Sequence, residues 1–259
     1  MKSESNVGHI ASINGIDLYY EVRGEGEPLM LLHGFTGAGA DWRYVFDLDE
    51  LAKSYRLIIP DMRGHGGSTN PLGEFTHRQS AADMFALLEH LKVDKFKAIG
   101  LSGGGNTFLH MAMQQPSRIE AMVLISATTH FPDQARAIMQ HFSFDSLGAE
   151  ELAQQRARHR HGDDQIRALF RQGNAFKDSY DDLNFGAADL AKITAATLIV
   201  FGDRDPLYPL SIATEMYAAI PHAYLMVLPN AGHSPIFAEA KEYFVATAKS
   251  LLRGDWKKR

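Results

Sequence analysis

The chain contains no cysteine, which excludes disulfide staples, thiolate metal sites and cysteine nucleophiles together. Nor does it hold an apolar run approaching the ~18 residues that a membrane-spanning helix requires. The opening residues MKSESNVGHI lack the apolar core of a secretion signal, so a cytoplasmic location with no membrane partner is expected. A basic excess is missing as well. The 26 Lys and Arg stand against 31 Asp and Glu, a formal charge of −5, which offers no field for phosphate backbones and argues against a nucleic-acid partner. No internal repeat is visible.

What is present is the composition of a packed enzyme: 259 residues, 45% hydrophobic and 22% charged, enough to bury one large core. Short apolar runs alternate with helix-like segments. A hairpin is predicted over 8–13 and 16–22 around Asn14-Gly15, the dipeptide best suited to a tight turn. Further strands are predicted over 29–32, 56–60, 96–99, 121–125, 197–201 and 224–228, and helices over 42–52, 76–91, 107–115, 212–220 and 238–252. Continuous apolar strands are those covered on both faces, and their alternation with helices implies parallel βαβ units. In the helix over 76–91, Ala82, Phe85, Leu88 and Leu91 are expected to form the apolar face. Between 128 and 190 the rhythm breaks, with helix formers over 134–140, 149–158 and 164–171 and no strand-like run. A helical insertion of 128–190 into an α/β core of 1–127 and 191–259 is therefore expected.

The run into Gly100-Leu101-Ser102-Gly103-Gly104 is the chemical centre. A serine between glycines, at a strand-to-helix bend, is pushed outward with its hydroxyl toward a substrate. Acyl transfer needs such a nucleophile, a base, a group that orients the base, and donors for the developing oxyanion. Candidates for each follow predicted strands: His33-Gly34-Phe35, the PDMRGHGGS loop from Pro60, Gly202-Asp203-Arg204-Asp205, and Gly232-His233.

These motifs, in the order Ser, Asp, His, resemble the α/β-hydrolase fold superfamily, as a serine esterase-like member with a helical cap, and the resemblance covers nearly the whole chain. It implies a mostly parallel eight-stranded sheet with helices on both faces. By resemblance, Ser102 is the nucleophile, His233 the general base and then acid, and Asp205, rather than Asp203, the carboxylate that orients it. The backbone N–H groups of Phe35 and Gly103 are the implied oxyanion donors. The segment after the strand over 121–125 reads Ser126-Ala127-Thr128, with no carboxylate to take the acid's place. The implied activity is hydrolysis of small to medium carboxylic esters through an acyl-enzyme on Ser102, without metal or cofactor, on a small-molecule substrate. Lactonase, C–C bond hydrolase, cofactor-free perhydrolase and hydroxynitrile lyase share this triad, and a small-molecule receptor of the same fold is the alternative from another class. Serine at the nucleophile position argues against dehalogenase and epoxide hydrolase chemistry, which use a carboxylate.

Other residues invite blander readings. His33, Asp61, Arg63 and His65 are expected to hold loops together. His159, His161 and Asp163, beside Arg156, Arg158 and Arg160, read as a solvated helix face rather than a metal site. Phe131, Phe142, Phe144, Phe170, Phe176, Tyr180 and Phe185 must bury somewhere, as a roof over Ser102 or a plain apolar seam. Gly103 departs from relatives that carry a bulky residue there, and the missing side chain leaves room beside Ser102 for a bulkier acyl group unless a neighbour fills it.

Overall fold

In the computed structural model, which describes residues 8–237 and 240–256, the chain first turns at Asn14-Gly15. Both residues take positive φ, 47° and 76°, the backbone a two-residue hairpin turn requires. The turn joins β1 (His9–Ile13) to β2 (Ile16–Arg23). Six more strands follow: β3 (Glu27–Leu32), β4 (Tyr55–Pro60), β5 (Phe96–Leu101), β6 (Ile119–Ile125), β7 (Ala196–Gly202) and β8 (Ala223–Leu228). All eight form one sheet in the order β1-β2-β4-β3-β5-β6-β7-β8. The pairs β1–β2 and β2–β4 are antiparallel and the remainder parallel.

The apolar runs are continuous because each strand feeds two cores. Along β3, Met30 and Leu32 join Met84, Leu88 and Phe108 on one face, while Leu29 and Leu31 join Trp42, Phe46 and Phe244 on the other. Each such side chain contributes about 1.5–3 kcal/mol of burial. The first face is covered by α2 (His77–His90), α3 (Gly103–Gln114) and α8 (Leu210–Ala219), the second by α1 (Leu48–Ala52) and α9 (Lys241–Leu252). The last helix was expected from position 238; Ala238 and Glu239 lie outside the described residues.

Three expectations need correction. The single helix over 42–52 is a 3-10 turn (Gly39–Tyr44) followed by α1, because Asp47 starts a new helix by accepting the Glu50 N–H at 3.0 Å. The helix after Ser102 begins at Gly103 rather than 107, so three successive glycines form its first turn. In α2, Ala82 is exposed and the buried positions include His77, Ser80, Ala81, Met84, Leu87 and Leu88. Steps of three alone walk round a helix by about 60° each, whereas alternating threes and fours stay on one face.

Between β6 and β7 the described residues hold no strand. They form α4 (Asp133–Met139), α5 (Ala149–Arg158), α6 (Asp163–Ala175) and α7 (Ala187–Leu190). The segment is pinned to the loop after β4: Gln165 Nε2–H donates to the carbonyls of Gly64 (3.0 Å) and Gly66 (3.1 Å), and Arg160 N–H donates to Gly66 O (3.0 Å).

Candidate active site

The strand-to-helix bend at Ser102 is enforced by packing. Ser102 has φ 49° and ψ −112°, a conformation that costs a non-glycine residue about 1–3 kcal/mol. Its N–H donates to Ile125 O at 2.7 Å and its carbonyl accepts from Asn106 N–H at 2.8 Å, so both sides of the strained residue are tied down. A Cβ on Gly104 would stand 2.4 Å from Leu32 O and 2.7 Å from His33 O, and one on Gly100 would stand 2.6 Å from Gly105 N. Only glycine permits this approach of α3 to β3 and β5.

The loops after β7 and β8 bring the other two members to the serine. Ser102 Oγ–H donates to His233 Nε2 at 2.8 Å, and His233 Nδ1–H donates to Asp205 Oδ2 at 2.8 Å. Asp205 is buried, and its Oδ1 accepts from the N–H groups of Leu207 (2.8 Å) and Tyr208 (3.1 Å). One carboxylate thus shapes its own turn and orients the imidazole. Asp203 instead braces the β8 loop by accepting from Ala231 N–H at 3.3 Å.

Phe35 and Gly103 meet across the mouth of the bend. Phe35 N lies 3.4 Å from the position a Cβ on Gly103 would take. The loop that carries Phe35 is closed by Gly37 N–H donating to Gly34 O (3.0 Å) and anchored by His33, whose Nε2 accepts from Met62 N–H at 3.0 Å. Because α3 starts at Gly103, the positive end of its dipole faces the same point.

These groups open on a cavity of about 370 Å³ lined mostly by apolar side chains, among them Trp42, Leu101, Met139 and Leu207. Of the aromatics in the β6–β7 segment, Phe131, Phe142 and Phe176 line it. Phe185 packs edge-on against His110 at 4.9 Å, Phe170 lies tilted against Phe142 at 6.2 Å, and Phe144 and Tyr180 lie under Arg167 and Arg136.

The loop residues behave as braces. Asp61 accepts from Gly39 N–H (2.7 Å) and Gly67 N–H (2.8 Å), and Arg63 forms a buried two-pronged pair with Asp83 at 2.7 and 2.8 Å. The expected solvated face at 159–163 holds for Arg160 and His161, which are exposed, but not for His159, which is 2% exposed and accepts Gly66 N–H at Nδ1 (3.0 Å). It ends α5 and turns inward because its ring supplies an acceptor that the glycine-rich loop needs. Asp163 pairs with Arg156 at 2.7 Å, and among the described residues no cluster can hold a metal ion.

Three cavity residues carried no sequence signal as site residues: His77, Asn106 and Tyr208. Asn106 Oδ1 accepts Thr128 N–H at 2.8 Å. Tyr208 packs edge-on against the His233 ring at 5.1 Å. Burial and the neighbouring Asp205 charge push its hydroxyl up, against hydrogen bonding with Asn106 and Ser102, so it stays a neutral donor beside the serine.

A family model for the alpha/beta hydrolase fold matches residues 27–147. The chain is 30% identical to 2-hydroxymuconate semialdehyde hydrolase of Pseudomonas sp. (strain CF600), over 98% of this chain and 97% of that one. A shorter match, 34% identical over 143 residues, takes in 52% of this chain and 49% of the soluble epoxide hydrolase of Corynebacterium sp. (strain C12), so the chain spans about half the length of that relative. Among solved structures, Est816, described as an N-acyl homoserine lactone degrading enzyme, has a TM-score of 0.76 at 26% identity, covering 95% of this chain and 99% of that one. A near full-length relative at this identity and the sheet order observed converge on one conclusion: the chain belongs to the α/β-hydrolase fold superfamily and is a hydrolase.

Proposed function

We propose that the protein hydrolyses small to medium carboxylic esters through a covalent acyl-enzyme on Ser102. The observation that carries this reading is the continuous relay Ser102–His233–Asp205, with both links at 2.8 Å, facing an apolar cavity. Ser102 Oγ attacks the ester carbonyl carbon as its proton passes to His233 Nε2. The carbonyl oxygen becomes an oxyanion, held by the N–H groups of Phe35 and Gly103; losing one such donor typically costs ~3 kcal/mol. Collapse breaks the bond to the leaving alcohol, which takes the proton from His233. Water, deprotonated by the same imidazole, then attacks the acyl carbon, and the carboxylic acid leaves as Ser102 regains its proton. Asp205 keeps Nδ1 protonated, so Nε2 is free to act as base.

In this reading residues 128–190 act as a cap over a core of 1–127 and 191–259. Phe131, Phe142 and Phe176, which line the cavity, are its roof over an apolar acyl group. The partial match to an epoxide hydrolase does not bring that chemistry with it, because the nucleophile position holds a hydroxyl rather than a carboxylate. A second reading, cleavage of a C–C bond by the same residues, is favoured by the near full-length likeness to 2-hydroxymuconate semialdehyde hydrolase. Steady-state assays on p-nitrophenyl acetate and butyrate, γ-butyrolactone and 2-hydroxymuconate semialdehyde separate the two. Multiple turnover of the esters that disappears in Ser102→Ala supports the first, and turnover of the semialdehyde alone replaces it by the second. Release of a single equivalent of product would point to a receptor instead.

A further inference from the structure

A second histidine–aspartate pair stands in the same cavity. His77 opens α2 directly after Thr76, which caps the helix by accepting Gln79 N–H at 3.0 Å. Its Nδ1–H donates to Asp182 Oδ2 at 2.7 Å, and its backbone N–H donates to the same oxygen at 2.7 Å. Asp182 Oδ1 accepts Arg78 N–H at 3.0 Å, and the Asp182 carbonyl accepts His110 Nε2–H at 2.8 Å. Burial opposes ionisation of Asp182, but hydrogen bonds from His110 and His77 outweigh it and hold the carboxyl far below the usual range.

The ring has no freedom to turn away. Phe176 stacks on it at 5.4 Å and 28°, and Phe75 meets it edge-on at 5.4 Å. With Nδ1 committed to Asp182, Nε2 is the atom offered to the cavity. It lies 3.6 Å from the position a Cβ on Gly103 would take, the same point from which Phe35 N is 3.4 Å away. Nε2 has no protein partner among the described residues and, unlike the enclosed Nε2 of His65, it belongs to a side chain that lines the cavity. An aromatic ring alone would fill this space; a histidine locked in one tautomer by a buried carboxylate presents a directed lone pair beside the oxyanion donors.

We propose that His77 selects the acyl group: Nε2 accepts a hydrogen bond from a hydroxyl or N–H on the carbon next to the scissile carbonyl, and Asp182 is its positioning residue. The inference rests on the Ser102 acylation reading and adds to it a substrate class, esters of 2-hydroxy or 2-amino-substituted acids. The glycine at 103 belongs to the same device, since a larger residue there would cover Nε2.

The test compares kcat/KM for phenyl 2-hydroxypropanoate, phenyl 2-methoxypropanoate and phenyl propanoate. The methoxy ester keeps the electron withdrawal, is larger by one methyl group and has no hydrogen to donate. The wild type is expected to favour hydroxy over methoxy by roughly tenfold, mainly through KM, the value of one buried hydrogen bond. His77→Phe should bring the ratio to about unity, and His77→Gln, which retains an acceptor oxygen, should restore part of it. A folded His77→Phe with the wild-type ratio overturns the proposal, as does a His77→Gln that is no better than His77→Phe. If the phenylalanine variant does not fold, the ratio in His77→Gln decides. Turnover of these esters that survives in Ser102→Ala, or no turnover of any of them, overturns the acyl-enzyme reading itself; Ser102-dependent turnover with an unchanged ratio overturns only the role of His77.

Discussion

Acid should loosen the loop that carries Phe35, because three buried histidines beneath it are held neutral. The rings of His33 and His65 lie 5.0 Å apart and those of His65 and His159 6.1 Å apart. Two of them use a ring nitrogen as an acceptor for a backbone N–H, Met62 to His33 and Gly66 to His159, so a proton there would break the bond. The third, His65, has a buried Nε2 with no partner to receive a new N–H. Burial lowers all three; the neighbouring imidazoles add to it at His65 and His159, and at His33 the Arg158 charge adds to it against Asp61 and Asp41, so that His159 falls from 6.5 to about 4. The unfolded chain takes up its proton at the higher value, so folding is penalised as pH falls through that window. The contribution of His159 is complete above about 6.5 and is lost progressively toward about 4, a span of about 3 kcal/mol. His33 and His65 act in the same direction. Urea unfolding at intervals between pH 7.5 and 4.5, for the wild type and His159→Asn, measures it. Asparagine can still accept Gly66 N–H but cannot titrate, so the variant should be less stable at pH 7.5 and lose about 3 kcal/mol less on acidification. Parallel pH profiles, or a His159 ring signal titrating near 6.5, would refute the reasoning.

Other perturbations test the frame around the site. Gly104→Ala places a Cβ 2.4 Å from Leu32 O and 2.7 Å from His33 O, backbone atoms that cannot yield cheaply; a loss of about 3 kcal/mol or more is expected in urea, together with loss of activity. Asp83→Ala leaves Arg63 buried and unpaired and should cost about 3–5 kcal/mol, read as a lowered urea midpoint. Asp205→Asn keeps the shape of the relay but lets the wrong imidazole tautomer form, so kcat on p-nitrophenyl butyrate should drop roughly 10³–10⁴-fold with the fold intact. In Gly103→Met the Cβ itself fits, 3.4 Å from Phe35 N, but the rest of the chain enters the cavity. Activity on branched acyl esters should fall further than on linear ones, and equal losses would show that the space at Gly103 does not accommodate the acyl group.

Much of this architecture was legible in the chain because it depends on local patterns. Apolar runs such as 121–125 and 197–201 mark strands buried on both sides, and the glycines around Ser102 record a close approach that no other residue allows. Ser102, Asp205 and His233, named from motifs, come together at 2.8 Å because each sits in the loop just beyond a strand of one sheet. What escaped depends on distant partners. His77 and Asp182 are separated by 105 positions, and Gly66 and His159 by 93, so neither pair leaves a spacing to read. The burial of His77, though not its place in the cavity, had a local trace, since positions 77, 81, 84 and 88 share one face of α2; reading steps of three alone hid it.

The central claim is that Ser102 carries the acyl group, and rapid acid quench followed by intact and peptide mass measurement tests it most directly. During turnover of p-nitrophenyl butyrate, a butyryl adduct should appear on the peptide containing Ser102 at the rate of the product burst, and it should be absent in Ser102→Ala. Turnover with no adduct, or an adduct on another residue that persists in Ser102→Ala, would contradict it.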